Sequence, residues 1–198
     1  IVIYLLFLLL EHQTFNMKLK RMSKSKAQYN RAFELVNRID HDIRHYLRIK
    51  TTINALAGVL SYILLLAFGI NYAEFWGIFI FLLHYIPFIG PIVAIVFVLL
   101  AVSVQITGLV PFIILAVILS AIQFGIGNFL EPKWMGTRLN LSPIVILLSL
   151  AFWGAIWGII GMFLCVPLMV IINIILAKFP KTQPIAIAMS AEGDIDSY

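Results

Sequence analysis

Cysteine is nearly missing from this sequence, and charge is scarce. The one thiol, Cys165, lies within an apolar run, so a disulfide within the chain is excluded and the side chain reads as packing. Charged residues make up 12% of the 198 and hydrophobic ones 62%, which leaves too little polar surface to coat a soluble globule. From residue 51 to residue 177 only Glu74, Glu131, Lys133 and Arg138 carry a formal charge, and the apolar runs between them are long enough for helices in lipid. There is no Gly-Lys-Ser phosphate cradle and no Ser-His-Asp set, and no Cys or further His stands near His41 and His45 to favour a metal site. The expectation is an all-α, polytopic membrane protein that is not an enzyme and holds no cofactor and no metal.

What charge there is lies mostly in one place. Ten of the fourteen Lys and Arg fall between Lys18 and Lys50, a clustering that marks a cytoplasmic loop beside a span rather than a nucleic-acid surface. From Tyr29 the apolar positions Phe33, Val36, Ile39, Ile43, Tyr46 and Leu47 recur at three and four, opposite Arg31, Arg38, Arg44 and Arg48, which predicts a basic amphipathic helix. Such a helix can lie on an anionic membrane surface or pack on a neighbouring subunit, and the sequence leaves both open. Residues 1–10, IVIYLLFLLL, are too short for a span and lack the features of a signal peptide, so they read as the end of a truncated transmembrane helix. The organisation expected is that helix end, a basic linker and amphipathic helix over 11–50, a transmembrane core over 51–178 and a polar cytoplasmic tail over 179–198.

Within the core, residues 52–70 make one full span. Residues 72–86 and 92–107 are apolar but only 15 and 16 long, about 23 Å each at helical rise against a hydrocarbon core of about 30 Å. Between them IPFIGP places Pro87, Gly90 and Pro91 where a helix must break. A second full span, 109–128, ends in the glycine-rich IQFGIGN and is followed by the polar link LEPKWMGTRLN. The apolar stretch from Pro143 to Ala177, interrupted by Gly154, Gly158, Gly161 and Pro167, is too long for one span and predicts a second hairpin. The trio Phe75-Trp76-Gly77 recurs as Phe152-Trp153-Gly154. Two full spans, each followed by a Pro/Gly-broken hairpin, would place Lys133, Arg138, Lys178 and Lys181 with the basic linker on the cytoplasmic side, and the hairpins would enter from opposite faces. Secondary transporters bind solutes at broken helices arranged in this way, because irregular backbone is tolerated in lipid only where protein or water covers it. A tight turn between two tilted full spans is the alternative to a re-entrant hairpin.

The ordered set HYIPFIGP, Gln123 to Asn128, LEPKWMG and SPIVILLSLAFWGAIWGIIGMFLCVPL resembles the autoinducer-2 exporter family of bacterial inner-membrane proteins, over roughly residues 45–175. The resemblance implies a multi-pass exporter of small polar molecules such as autoinducer-2. It also implies a homo-oligomer, for which it suggests a pentamer; the distribution of cations places residues 11–50 and the C-terminus in the cytoplasm, and the expected mechanism is alternating access with the two hairpins forming the substrate cradle. The family's Pro-Gly turn maps to Pro87, Gly90 and Pro91, its Glu-Pro-Lys element to Glu131, Pro132 and Lys133, and its glycine-rich hairpin to Gly154, Gly158 and Gly161. His84 stands where the family pattern leads one to expect Asn. Its imidazole can titrate near neutral pH, or hydrogen-bond as the amide would.

The candidate substrate-binding or gating residues are therefore His84, Pro87, Gly90, Pro91, Gln123, Asn128, Glu131, Gly154, Gly158 and Gly161. Gln123 and Asn128, polar at the end of a span, are solute ligands or interhelical ties. Glu131 either pairs with Lys133 or Arg138, or serves as a gate or proton carrier. With no pair of buried acids visible, a neutral solute handled by hydrogen bonds suits the inventory better than a proton pump. Two other readings stay open: a sodium (lithium)/proton antiporter on the same fold, and a non-transporting membrane scaffold whose basic helix recruits partners. The partners expected are a small polar solute, the lipid bilayer and further copies of the chain, and no nucleic acid.

Overall fold

A computed structural model describes residues 25–135, 141–191 and 193, and among them the regular structure is helical throughout. The apolar start at 1–10, the linker residues 11–24 and the proposed partner Arg138 lie outside the described residues.

Helix α1, Lys26–Ala67, runs for 42 residues. No proline interrupts it and its first glycine is Gly58, so the amphipathic stretch and the first span join into one helix with no break near residue 50. The chain divides into one compact unit through Asp42 and another from Ile43. In the first, Tyr29 and Phe33 stack one turn apart with ring centroids 5.8 Å apart, and Arg38 Nε lies 3.9 Å from Asp42 Oδ2, the i, i+4 spacing at which helical charges meet.

The second unit holds the rest of α1, then α2 (Ala73–Leu83), α3 (Ile89–Ser103) and α4 (Leu109–Gly125). Helix α4 does not stop at its glycines. It continues through one π-helical turn, Ile126–Leu130, into α5 (Glu131–Met135), where the sequence had led us to expect a break and a polar link. Helices α6 (Pro143–Trp157), α7 (Ile159–Lys178) and α8 (Gln183–Met189) follow.

Among the described residues, three helices are long and apolar enough to cross a membrane, over Tyr29–Ala67, Leu109–Met135 and Ile159–Lys178. Helices α2 and α3, with 11 and 15 residues, reach only about 16 and 22 Å. The second pair differs: α6 has 15 residues, but α7 has 20 and full spanning length.

Packing in lipid gains little from the hydrophobic effect and depends on close fit. Ala94, Val98 and Val102, four apart on α3, and Leu115 and Leu119 on α4 are fully buried against Ile53, Ala57 and Leu65 of α1. Gly77 of the repeated trio brings α2 so close to α1 that a Cβ on Gly58 would sit 2.7 Å from the Gly77 carbonyl oxygen.

Each pair turns over a glycine. A Cβ on Gly90 would collide with the carbonyl oxygen of Leu83, and one on Gly161 with that of Trp153. The breaks themselves differ. Between α2 and α3, Ile89 N–H donates to Pro87 O at 2.6 Å across Phe88, whose φ of 59° and ψ of −51° make a γ-turn of the rare, positive-φ form. Between α6 and α7 a single residue, Gly158 at φ 62°, makes the turn.

The stretch read from sequence as a polar tail contains α8, whose Ala186 is fully buried. Thr182 precedes it and Pro184 occupies its first turn, where a missing N–H costs nothing.

Candidate functional site

A polar stripe runs along one face of α1. Lys50, Asn54 and Ser61, separated by four and seven residues, are all buried, each with 2% exposure or less. Each reaches a different element. Ser61 Oγ accepts from Gln123 Nε2 of α4 at 3.0 Å. Asn54, with its amide turned to satisfy both neighbours, donates to Lys50 O at 3.1 Å and accepts from Tyr85 N–H at 3.3 Å. Thr51 Oγ1 adds a hydrogen bond of 2.7 Å to Tyr85 Oη. The turn of α1 that carries Lys50 is thus tied to the break between α2 and α3.

Lys50 Nζ pairs with Glu131 Oε1, across 81 positions of sequence. The cation is buried and the carboxylate side chain is 22% exposed. Sequence reasoning gave Glu131 other partners, Lys133 or Arg138, and placed Lys50 in the linker. The pair depends on the π turn: the Glu131 N–H bonds back five residues to Ile126 O, while Asn128 Nδ2 donates to Phe124 O at 3.1 Å. Gly125 and Gly127 have open space where a side chain would project, so neither is required by a close neighbour.

Around this pair lies a cavity of about 800 Å³. Tyr46 and Lys50 of α1 line it, with His84, Pro87 and Phe88 at the break and Pro91 on α3. Ser120, Gln123 and Asn128 face it from α4 and the π turn, and Glu131 and Pro132 from α5. Pro143 and Val166 of the second pair and Ala191 near the C-terminus complete the wall. Its lining is largely apolar, and two polar groups are left over. His84 is 1% exposed and neither ring nitrogen has a hydrogen-bond partner among the described residues; Gln123 Oε1 is also buried and unpartnered. Leaving such groups unpaired costs on the order of 1–3 kcal/mol each, so they favour a molecule that brings hydrogen bonds of its own.

Six of the ten residues singled out from the sequence meet at this cavity: His84, Pro87, Pro91, Gln123, Asn128 and Glu131. Gly90 lies beneath it, packed on Leu83. Gly154, Gly158 and Gly161 are not among its lining residues; Gly154 faces Met162 and Gly161 faces Trp153 and Trp157 within their own hairpin. Lys50, Tyr46 and Ala191 were missed. For Lys50 a signal existed in the polar residues at helical spacing on an otherwise apolar helix.

Comparison with known proteins gives a consistent picture. The profile of the family described as "AI-2E family transporter" matches residues 1–181. A "Putative transport protein" of Borreliella burgdorferi is 36% identical over 178 residues, 88% of this chain and 49% of its own length. The "AI-2 transport protein TqsA" of Escherichia coli is 34% identical over 190 residues, 96% of this chain and 54% of its own. The chain spans about half the length of the curated relatives it matches.

Proposed function

Since the chain belongs to the AI-2E transporter family and is a membrane transport protein, we propose that the cavity around His84, Gln123 and the Lys50–Glu131 pair is where the solute binds during passage. The observation that carries this reading is that His84 and Gln123, both lining the cavity, hold buried polar atoms without partners among the described residues, which a small rotation of either side chain would offer to a solute. A solute satisfying them needs a donor for Gln123 Oε1 and a donor or acceptor for the His84 ring, whose role follows its tautomer. Lys50 and Glu131 neutralise each other, so a net charge on the solute is not called for. The class that fits is a small, uncharged, hydroxyl-bearing molecule. Autoinducer-2 belongs to it, and the name of the Escherichia coli relative points the same way. Export through the bacterial inner membrane by alternating access, in a homo-oligomer with residues 11–50 and the C-terminus in the cytoplasm, completes the proposal. The short α2–α3 pair acts as a re-entrant hairpin, because neither helix has spanning length.

The test is flux of labelled autoinducer-2 in vesicles containing the full-length protein, with wild type beside His84→Leu and Gln123→Leu. Flux that each variant reduces by about ten-fold, the effect of a lost polar contact, supports the reading. Flux unchanged in both, from folded protein, removes the cavity as the binding site.

One observation favours a second reading. A buried ion pair inside a membrane segment is costly and usually functional, which suits a sodium (lithium)/proton antiporter. A pH-dependent cation flux abolished by Glu131→Gln would favour it over solute export.

A further inference from the structure

The cavity wall is not made by the membrane helices alone. Ala191, which follows α8, is part of it, and so are Leu141 and Pro143 at the start of α6. The chain reaches this position by folding back from the end of α7. Phe179 is extended, and Thr182 Oγ1 donates to Leu176 O at 2.7 Å while Gln183 Nε2 donates to Ala177 O at 3.3 Å. These bonds satisfy carbonyls that the end of α7 leaves without intrahelical partners, and they fix the base of the returning segment. Its far end is held to α6: Met189 O accepts from Ser142 N–H at 2.9 Å, and Ala186 and Ser190 are buried beneath it. Ser190 Oγ then accepts from Gly193 N–H at 2.8 Å, turning the chain once more.

We propose that residues 179–191 form a strap that closes one side of the cavity, and that release of its Met189–Ser142 contact opens the cavity to water. Ten of its thirteen residues lie beyond residue 181, where the match to the family profile ends, so this chain builds part of its wall from sequence outside that match. The proposal rests on the cavity being the solute site described above, but its test does not require transport.

Ser142 offers a clean way to loosen the strap. Its backbone, at φ −60° and ψ 136°, already has the conformation proline prefers, and its side chain makes no capping hydrogen bond. Ser142→Pro therefore deletes the N–H that holds Met189 and leaves the acceptor for Ile146 N–H in place. The reporter is Ser120→Cys, a near-isosteric change on the cavity wall, in full-length protein with Cys165→Ala and any other cysteines replaced. A water-soluble maleimide is added to both faces of the membrane. Ser142→Pro is expected to raise the labelling rate about five-fold, the change in an opening equilibrium produced by one lost backbone hydrogen bond. A stop codon at Thr182 is expected to raise it further. Labelling unchanged in both variants, with folding confirmed by thermal unfolding in detergent, overturns the strap. Flux measured on the same samples separates the two readings: labelling that rises while flux is untouched keeps the strap and discards this cavity as the route of transport.

Discussion

Where α2 gives way to α3, five residues from His84 to Phe88 make the turn; where α6 gives way to α7, Gly158 makes it alone. Both pairs rest a glycine against a carbonyl of the preceding helix, Gly90 on Leu83 and Gly161 on Trp153. The repeated trio is helical in both, with Phe75–Trp76 and Phe152–Trp153 ring centroids each 5.1 Å apart. What differs is where the unusual features fall. The first break carries a buried imidazole, a proline on the cavity wall and a non-glycine residue in a strained turn, and a second lining proline, Pro91, opens α3. The second has glycine at its positive-φ position, and that glycine is not among the residues lining the cavity. Strained backbone concentrates at functional sites, so the same frame has been specialised on one side and kept plain on the other.

The largest effects should be shared by both pairs. Gly90→Leu and Gly161→Leu each force a side chain into a backbone oxygen that cannot move aside, and both should abolish folded protein as judged by size-exclusion chromatography of the detergent-solubilised chain. A well-folded Gly161→Leu beside an unfolded Gly90→Leu would break the parallel. Transport should then separate the pairs. His84→Leu is expected to lower flux about ten-fold while His84→Asn, which restores an amide, keeps most of it. Trp153→Phe in the second pair should change flux by less than about two-fold, because its indole N–H has no partner among the described residues. The smallest effects are on stability and have opposite signs. Phe88→Gly relieves a positive φ and should stabilise by about 1 kcal/mol, whereas Gly158→Ala introduces the same problem and should destabilise by about 1 kcal/mol. Thermal melts of the two variants check this.

The first break was legible because proline states its effect on a helix directly: Pro87 and Pro91 fix the place within a few residues. Glycine is less explicit. Gly154, Gly158 and Gly161 announced a break without saying which of them turns the chain, and Gly125 and Gly127 announced one that does not occur. A π turn absorbs them, and no rule of spacing marks a π turn in advance. His84, Gln123 and Glu131 stood out as polar groups in an apolar field, so part of the polar lining of the cavity could be anticipated. Lys50 was hidden by its neighbours: it ends a run of cations whose collective meaning is topological, and its individual role appears only once Glu131 is placed opposite it. The helix at 183–189 was hidden by composition, since a short segment with Thr, Gln and Lys nearby reads as solvent-facing until Ala186 is seen to be buried.

The π turn at Ile126–Leu130 has a further consequence, for helical phase. A π turn contains one residue more than the α-helical turn it replaces, so everything after it is rotated by about 100° relative to an uninterrupted helix. Removing one residue there, such as Gly127, would let regular winding resume with Glu131 still turned toward Lys50, whereas winding all the present residues as regular helix would turn it away. In this chain the facing of a charge depends on a turn that absorbs one surplus residue, and loss of the turn without loss of the residue would act as a rotation.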